Sequence, residues 1–253
     1  MLLTVVDSFT ECAFSGNPAA VAIVEEFPSD ERMQAIAREM NLSETAFVVA
    51  SDGGGHLLRW FTPAIEVDLC GHATLAAAHV LGGRAVFSTR SGLLTCDRHD
   101  GWIEMDFPAW KPTEQQLPVL MDWLPSPVWT GVAGDDWLVE LRLARDVVDL
   151  EPDQAGVAAL GRRALIVTAR ADTSSEADIV SRVFAPNAGI AEDPVTGSAH
   201  CALAPYWAPR IGRDELLGWQ ASERGGIVRM RLSDDRVILG GHAVSVSEVK
   251  LLA

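Results

Sequence analysis

The chain has 253 residues, room for one large domain or two of about 100–150 each. Its 35 acidic residues against 20 basic ones give a formal charge of −15, which argues against nucleic acid or an anionic membrane as partner. Four cysteines with no CxxC pair argue against a zinc site or a disulfide framework and fit a reducing cytoplasm. No apolar run approaches the roughly 20 residues of a membrane span, and MLLTVVDSFTE lacks the basic region and cleavage site of a secretory signal.

In chain order, residues 2–9 and 19–26 read as strands split by a Gly16-Asn17-Pro18 turn. Residues 28–40 read as an amphipathic helix, with Ser29 as N-cap, Asp30 and Glu31 in the first turn, and Met33, Ile36, Ala37 and Met40 on one face. Strands follow at 45–51 and 56–63. Residues 71–83 (GHATLAAAHVLGG) form a helix of small residues, apolar nearly all round and therefore buried. Three strands follow at 85–89, 93–97 and 102–107. Five prolines between 108 and 127 rule out a long helix or a central strand, so this stretch reads as the connection between halves. The second half brings a strand at 137–143, a short helix at 153–161, strands at 164–170 and 178–186, a second small-residue helix at 197–207, and strands at 226–232, 237–241 and 243–253.

This order nearly repeats itself. Arg59-Trp60-Phe61-Thr62-Pro63 resembles Arg182-Val183-Phe184-Ala185-Pro186, and Cys70-Gly71-His72-Ala73 matches Thr196-Gly197-Ser198-Ala199. Each pair lies about half the chain apart, as an internal duplication requires. The expected division is 1–112 for the N-terminal half, with the strand around 245–253 a candidate to return to it, and 113–244 for the C-terminal half. Each small-residue helix opens on Gly then a polar residue. The first N–H groups of a helix lack internal partners and sit at the positive end of its dipole. If a pseudo-twofold axis relates the halves, the two helix starts face one cleft and cradle an anion such as a carboxylate. Asp193 precedes Pro194 and is held extended; it can cap the second helix or serve the site. The histidines show no HExxH-type spacing and no nucleotide-binding glycine loop is evident, so neither a metal nor a bound nucleotide is expected. Ser198 and His200 lie too close in sequence for a hydrolase pair.

DSFTECAFSGNPAAVAIV, NLSETAFV, LRWFTPAIEVDLCGHATLAAAHVL, RVFAPNAGIAEDPVTGSAHCALA and QASERGG together resemble the PhzF-like family of phenazine-biosynthesis isomerases, from residue 7 to about 250. The resemblance implies an α+β fold like that of diaminopimelate epimerase: two pseudo-symmetric halves, each a mostly antiparallel sheet wrapped around a central helix, with the active site between them. It implies a cofactor-independent proton shift on a small, cyclic carboxylate, similar to the isomerisation of trans-2,3-dihydro-3-hydroxyanthranilate. Glu44 then corresponds to the general acid/base, with His72 and Asp193 as catalytic partners. Asn17, Gly71, Gly197 and Ser198 correspond to substrate-binding positions. A homodimer in the cytoplasm is the associated expectation. Two other readings stay open: an amino- or imino-acid racemase, and a metabolite-binding protein without turnover. Related epimerases use two thiols, one per half; here Thr196 stands where the second would be, opposite Cys70.

Overall fold

The computed structural model describes residues 1–119 and 121–252. Leu120, in the proline-rich stretch, and Ala253, the end of the strand expected to 253, lie outside the described residues. The chain forms two compact units, Met1–Asp106 with Gly240–Ala253, and Phe107–Leu239.

The first unit contains β1 (Leu2–Ser8), β2 (Asn17–Val24), α1 (Asp30–Met40), β3 (Glu44–Ala50), β4 (His56–Phe61), β5 (Glu66–Val67), α2 (Gly71–Leu81), β6 (Ala85–Thr89), β7 (Gly92–His99) and β8 (Trp102–Pro108). The C-terminal strand Ala243–Lys250 returns to pair antiparallel with β1. Within this unit β1 is antiparallel to β2, β2 parallel to β3, β3 antiparallel to β4, β4 parallel to β6, and β6 antiparallel to β7. Each parallel pair needs a crossover, which α1 and α2 supply. Ser29 caps α1 by accepting from the Arg32 N–H at 3.3 Å, and Asn41 ends it in the left-handed conformation. Met33, Ile36 and Ala37 of α1 pack with Leu3, Ala20, Ala22, Phe47 and Phe61. The other helix, α2, is buried from His72 through Ala78 and packs on β1, β2, β3 and the C-terminal strand. Its alanines let the surrounding strands approach on several sides at once.

The second unit contains β9 (Thr113–Glu114), β10 (Trp129–Ala133), β11 (Asp136–Glu140), α3 (Ala144–Val148), α4 (Gln154–Ala159), β12 (Ala164–Arg170), β13 (Ile179–Phe184), α5 (Gly197–Ile211), β14 (Glu215–Gln220), β15 (Gly226–Ser233) and β16 (Arg236–Gly241), the last two residues of which belong to the first unit. Its pairings run in the same order: β10 antiparallel to β11, β11 parallel to β12, β12 antiparallel to β13, β13 parallel to β14, and β14 antiparallel to β15. The fold is α+β and of the diaminopimelate epimerase type, dominated by mixed, mostly antiparallel sheet. Among the described residues no helix is long and apolar enough to cross a membrane.

The repeated RxFxP motif does the same work in both units. Arg59 forks onto Glu66 with bonds of 2.7 and 2.7 Å and lies over the Phe61 ring. Arg182 forks onto Glu192 with bonds of 2.7 and 2.8 Å and lies over the Phe184 ring. Each two-toothed, partly buried pair anchors the loop that leads into the following helix.

Several elements differ from the reading of the sequence. Thr113–Glu114 is a short strand inside the proline-rich stretch, and the strand Trp129–Ala133 and the helix Ala144–Val148 had no clear signal. The strand Glu215–Gln220 was hidden by Gly218, whose lack of a side chain admits His200 of α5: a Cβ there would stand 3.2 Å from the imidazole Cδ2. Helix α5 continues to Ile211 through Pro205 and Pro209. Pro205 has no N–H for the Cys201 carbonyl, which accepts instead from the Trp110 N–H at 2.9 Å, so the break is satisfied from outside the helix.

Gly241 is a close-packing point of the first unit. A Cβ there would lie 2.7 Å from Leu75 Cδ1 and press against the buried Phe9 ring. Gly241→Ala is expected to destabilise the protein by about 1–3 kcal/mol, the usual cost of overpacking a core. Urea unfolding checks this; a midpoint equal to wild type would show that α2 has slack there.

Candidate active site

In the first unit, Glu44 is the first residue of β3 and His72 the second of α2. Crossed strands and a buried helix bring them together: His72 Nε2 stands 2.8 Å from Glu44 Oε2, with side chains 6% and 12% exposed. The carboxylate is thus the member that a ligand reaches more easily. Oε2 has no hydrogen-bond partner of full geometry, so charge carries the contact more than direction. Ser8 at the end of β1 donates its hydroxyl to the His72 carbonyl at 2.8 Å, and Thr74 donates to the Cys70 carbonyl at 2.6 Å. Together they hold the start of α2. Asn17 is fully buried at the start of β2, opposite Ser8 in register. Gly71 is the first residue of α2, whose N-cap, Cys70, offers no side-chain bond to the helix N–H groups.

Burial works against a charged His72, but the Cys70 sulfur and the Glu44 carboxylate overcome it, and the imidazole is held well above its ordinary value. Cys70 itself is pushed up to about 11, first by burial and then by the Glu44 charge. Near neutral pH the sulfur is therefore a neutral thiol, and the group that keeps the proton on His72 is Glu44. Glu44, Cys70 and His72 also form a donor trio, with one ligand atom from each lying within 4.8 Å of the others. Within it Cys70 Sγ lies 3.6 Å from Nδ1 and 3.9 Å from Nε2 of His72. Sequence spacing had not shown this trio, because position 44 comes from a different strand.

In the second unit, Gly197 and Ser198 open α5. Asp193 is not the helix cap: Thr196 occupies that position. Asp193 instead accepts the Thr196 hydroxyl at 2.6 Å. Arg163 reaches Ser198 Oγ at 3.1 Å while binding the buried Asp136 through both arms, one at 2.8 Å. Burial and the Asp136 carboxylate act oppositely on this guanidinium, and the carboxylate prevails. His200 donates Nδ1–H to the Thr196 carbonyl at 2.8 Å and is pushed down to about 4 by burial, so it is a neutral structural residue and no partner for a Ser198 nucleophile. Arg163 and Gln220 escaped the sequence reading of the site, and Thr196 entered it only as the counterpart of Cys70; Gln220 left a signal inside QASERGG and Arg163 left none.

The family model described as phenazine biosynthesis-like protein matches residues 6–249. The chain belongs to the PhzF family. An uncharacterized isomerase of Pseudomonas aeruginosa is 48% identical over 97% of this chain and 96% of its own length. An uncharacterized isomerase of Halalkalibacterium halodurans is 45% identical over 98% and 97%. The crystal structure of a PhzF-family protein from Enterococcus faecalis is 39% identical, covers 98% of this chain and 97% of its own, and superposes with a TM-score of 0.91. A hydroxyproline epimerase from Agrobacterium vitis shares the fold at TM-score 0.65 with 11% identity, covering 98% and 91%. As a PhzF-family member the protein is an isomerase.

The PhzF-family chain carries its acid and its imidazole in one buried pair, and that pair has a pH signature. Folding raises the His72 pKa. The stability it contributes is therefore complete below the unfolded value of about 6.5 and is lost as pH climbs through the folded value. In a histidine-selective NMR titration His72 is expected to titrate well above about 6.5 in the wild type and to fall in Glu44→Gln. A titration unchanged by that substitution would show that another group holds the charge.

Proposed function

We propose that the protein shifts a proton between two carbons of a small, ring-shaped carboxylate, with Glu44 as the single acid/base. The supporting observation is the buried Glu44–His72 pair, in which Glu44 Oε2 stands 2.8 Å from an imidazole held well above its ordinary value. Glu44 takes a proton from one carbon, and the C–H electron pair enters the conjugated system of the substrate. The protonated carboxyl then returns the proton to a second carbon, where a new C–H bond forms. No electron is gained or lost overall, so side-chain acid/base chemistry suffices without a cofactor. His72 steadies the carboxylate in each charge state and restores its basicity after return of the proton.

The remaining roles follow the family resemblance. Gly71, Gly197 and Ser198 offer N–H and hydroxyl groups at uncapped helix starts, suited to a carboxylate. Asn17 and Asp193 contact polar substituents or a shared proton. The hydroxyproline epimerase was solved with bound trans-4-hydroxy-L-proline, also a small cyclic carboxylate. The nearest match in reaction type is the isomerisation of trans-2,3-dihydro-3-hydroxyanthranilate. A two-thiol racemase is disfavoured by one specific observation: Cys70 and Thr196 occupy the same N-cap position of α2 and α5, so the second helix brings a hydroxyl, and the one thiol is held near 11.

The test is proton transfer in deuterated water, followed by NMR with trans-2,3-dihydro-3-hydroxyanthranilate as probe. The wild type is expected to convert it with label entering the product. Glu44→Gln is expected to lower kcat by about 10²–10⁴, the usual share of a general acid/base. Turnover by Glu44→Gln within about tenfold of wild type would sink the assignment. Label entering at Cα of free imino acids, with inversion, would establish the racemase instead.

A further inference from the structure

The Gln220 carboxamide is fully buried at the end of β14 and is spent entirely on the segment that carries Asp193. Its Oε1 accepts the Thr196 N–H at 2.8 Å. That bond settles the amide's orientation, because a backbone N–H needs an acceptor. Nε2 then donates to the Asp193 carbonyl at 2.7 Å and to Thr196 Oγ1 at 3.2 Å. Since the Thr196 oxygen already accepts from Nε2, its single proton points elsewhere, and Asp193 Oδ2 lies 2.6 Å away along that direction. A separation of this size is typical of a hydroxyl donating to an ionised carboxylate. Ser222, two residues beyond Gln220, donates to the Pro194 carbonyl at 2.8 Å and fixes the middle of the same turn. QASERGG, singled out in the sequence without a role, thus holds EDPVT by four bonds.

We propose that Gln220 acts through the Thr196 hydroxyl as a positioning residue, fixing Asp193 as an ionised hydrogen-bond acceptor. The inference rests on the reading of Asp193 as a site residue. The Gln220–Thr196 pair supplies one restraint on the carboxylate and sets the direction of this hydrogen bond as well as the shape of the turn. Charged groups near Asp193 include Arg163, whose charge interacts with it, and its chain neighbour Glu192, paired with Arg182. None of these is altered by the substitutions below.

The experiment follows the Asp193 carboxyl carbon by NMR across pH in uniformly labelled full-length protein, with Asp193→Asn assigning the signal. Thr196→Val keeps the shape and removes the hydroxyl; Thr196→Ser restores it. Losing a donor to the charged form raises a carboxylate's pKa, so the midpoint is expected to rise by about one unit in Thr196→Val and to stay at the wild-type value in Thr196→Ser. Gln220→Met is expected to move it the same way by less, and to add nothing in the Thr196→Val background, since its effect passes through that hydroxyl. A midpoint unmoved by Thr196→Val, or a Gln220→Met shift that persists in the double variant, overturns the relay. Turnover of trans-2,3-dihydro-3-hydroxyanthranilate by Asp193→Asn reads the other premise separately. Wild-type turnover in that variant, with the titration pattern as expected, would leave the relay standing and remove Asp193 from catalysis.

Discussion

The proposed chemistry depends on one contact: a carboxylate and an imidazole 2.8 Å apart, both largely withdrawn from water. Burial opposes a charge on His72, and the carboxylate beside it is among the groups that hold the imidazole well above its ordinary value all the same. For the neighbouring thiol the balance falls the other way: burial and then the Glu44 charge drive Cys70 up to about 11, although His72 beside it acts in the opposite sense.

That contact exists because the helix carrying His72 is built almost wholly of small residues. Its alanines allow β1, β2, β3 and the C-terminal strand to close around it, so the first residue of β3 comes within bonding distance of the second residue of α2. The hydroxyls of Ser8 and Thr74 then take the first carbonyls of the turn, which leaves its N–H groups without a side-chain cap. The second unit achieves the corresponding result by other means. There His200 returns to the Thr196 carbonyl, where Thr74 returns to that of Cys70, both four residues on. Gln220, from a strand, takes the Thr196 N–H. The same local problem, an uncapped helix start that must be rigid, is solved once with two hydroxyls and once with an imidazole and a carboxamide.

The arginine motifs show how sequence likeness and structural likeness connect. Arg59 and Arg182 each bind a carboxylate with both arms and cover an aromatic ring two residues on. The partner acids, Glu66 and Glu192, sit at different spacings from their arginines, which is why the repeat was visible in RxFxP and not in the acid. A guanidinium fork tolerates a change in loop length as long as the carboxylate can reach it.

Local pattern in the sequence was sufficient for the α1 cap at Ser29, its apolar face, the two small-residue helices and most strands, because capping, periodicity and small-residue content act over a few neighbouring residues. The family's long motifs were sufficient for the fold type. Glu44 and His72 could be named from those motifs, but their pairing could not be derived, since 27 residues of strand, turn and loop separate them and only sheet closure brings them together. Strand β14 was missed because Gly218 serves the packing of His200 rather than its own strand, and the length of α5 because the Trp110 N–H offsets the bond that Pro205 cannot make. Arg163, Thr196 and Gln220 gained their roles in the same way. Residue type and local order are written along the chain, whereas the partner of a buried polar group is chosen by whichever distant element the folded backbone carries alongside it.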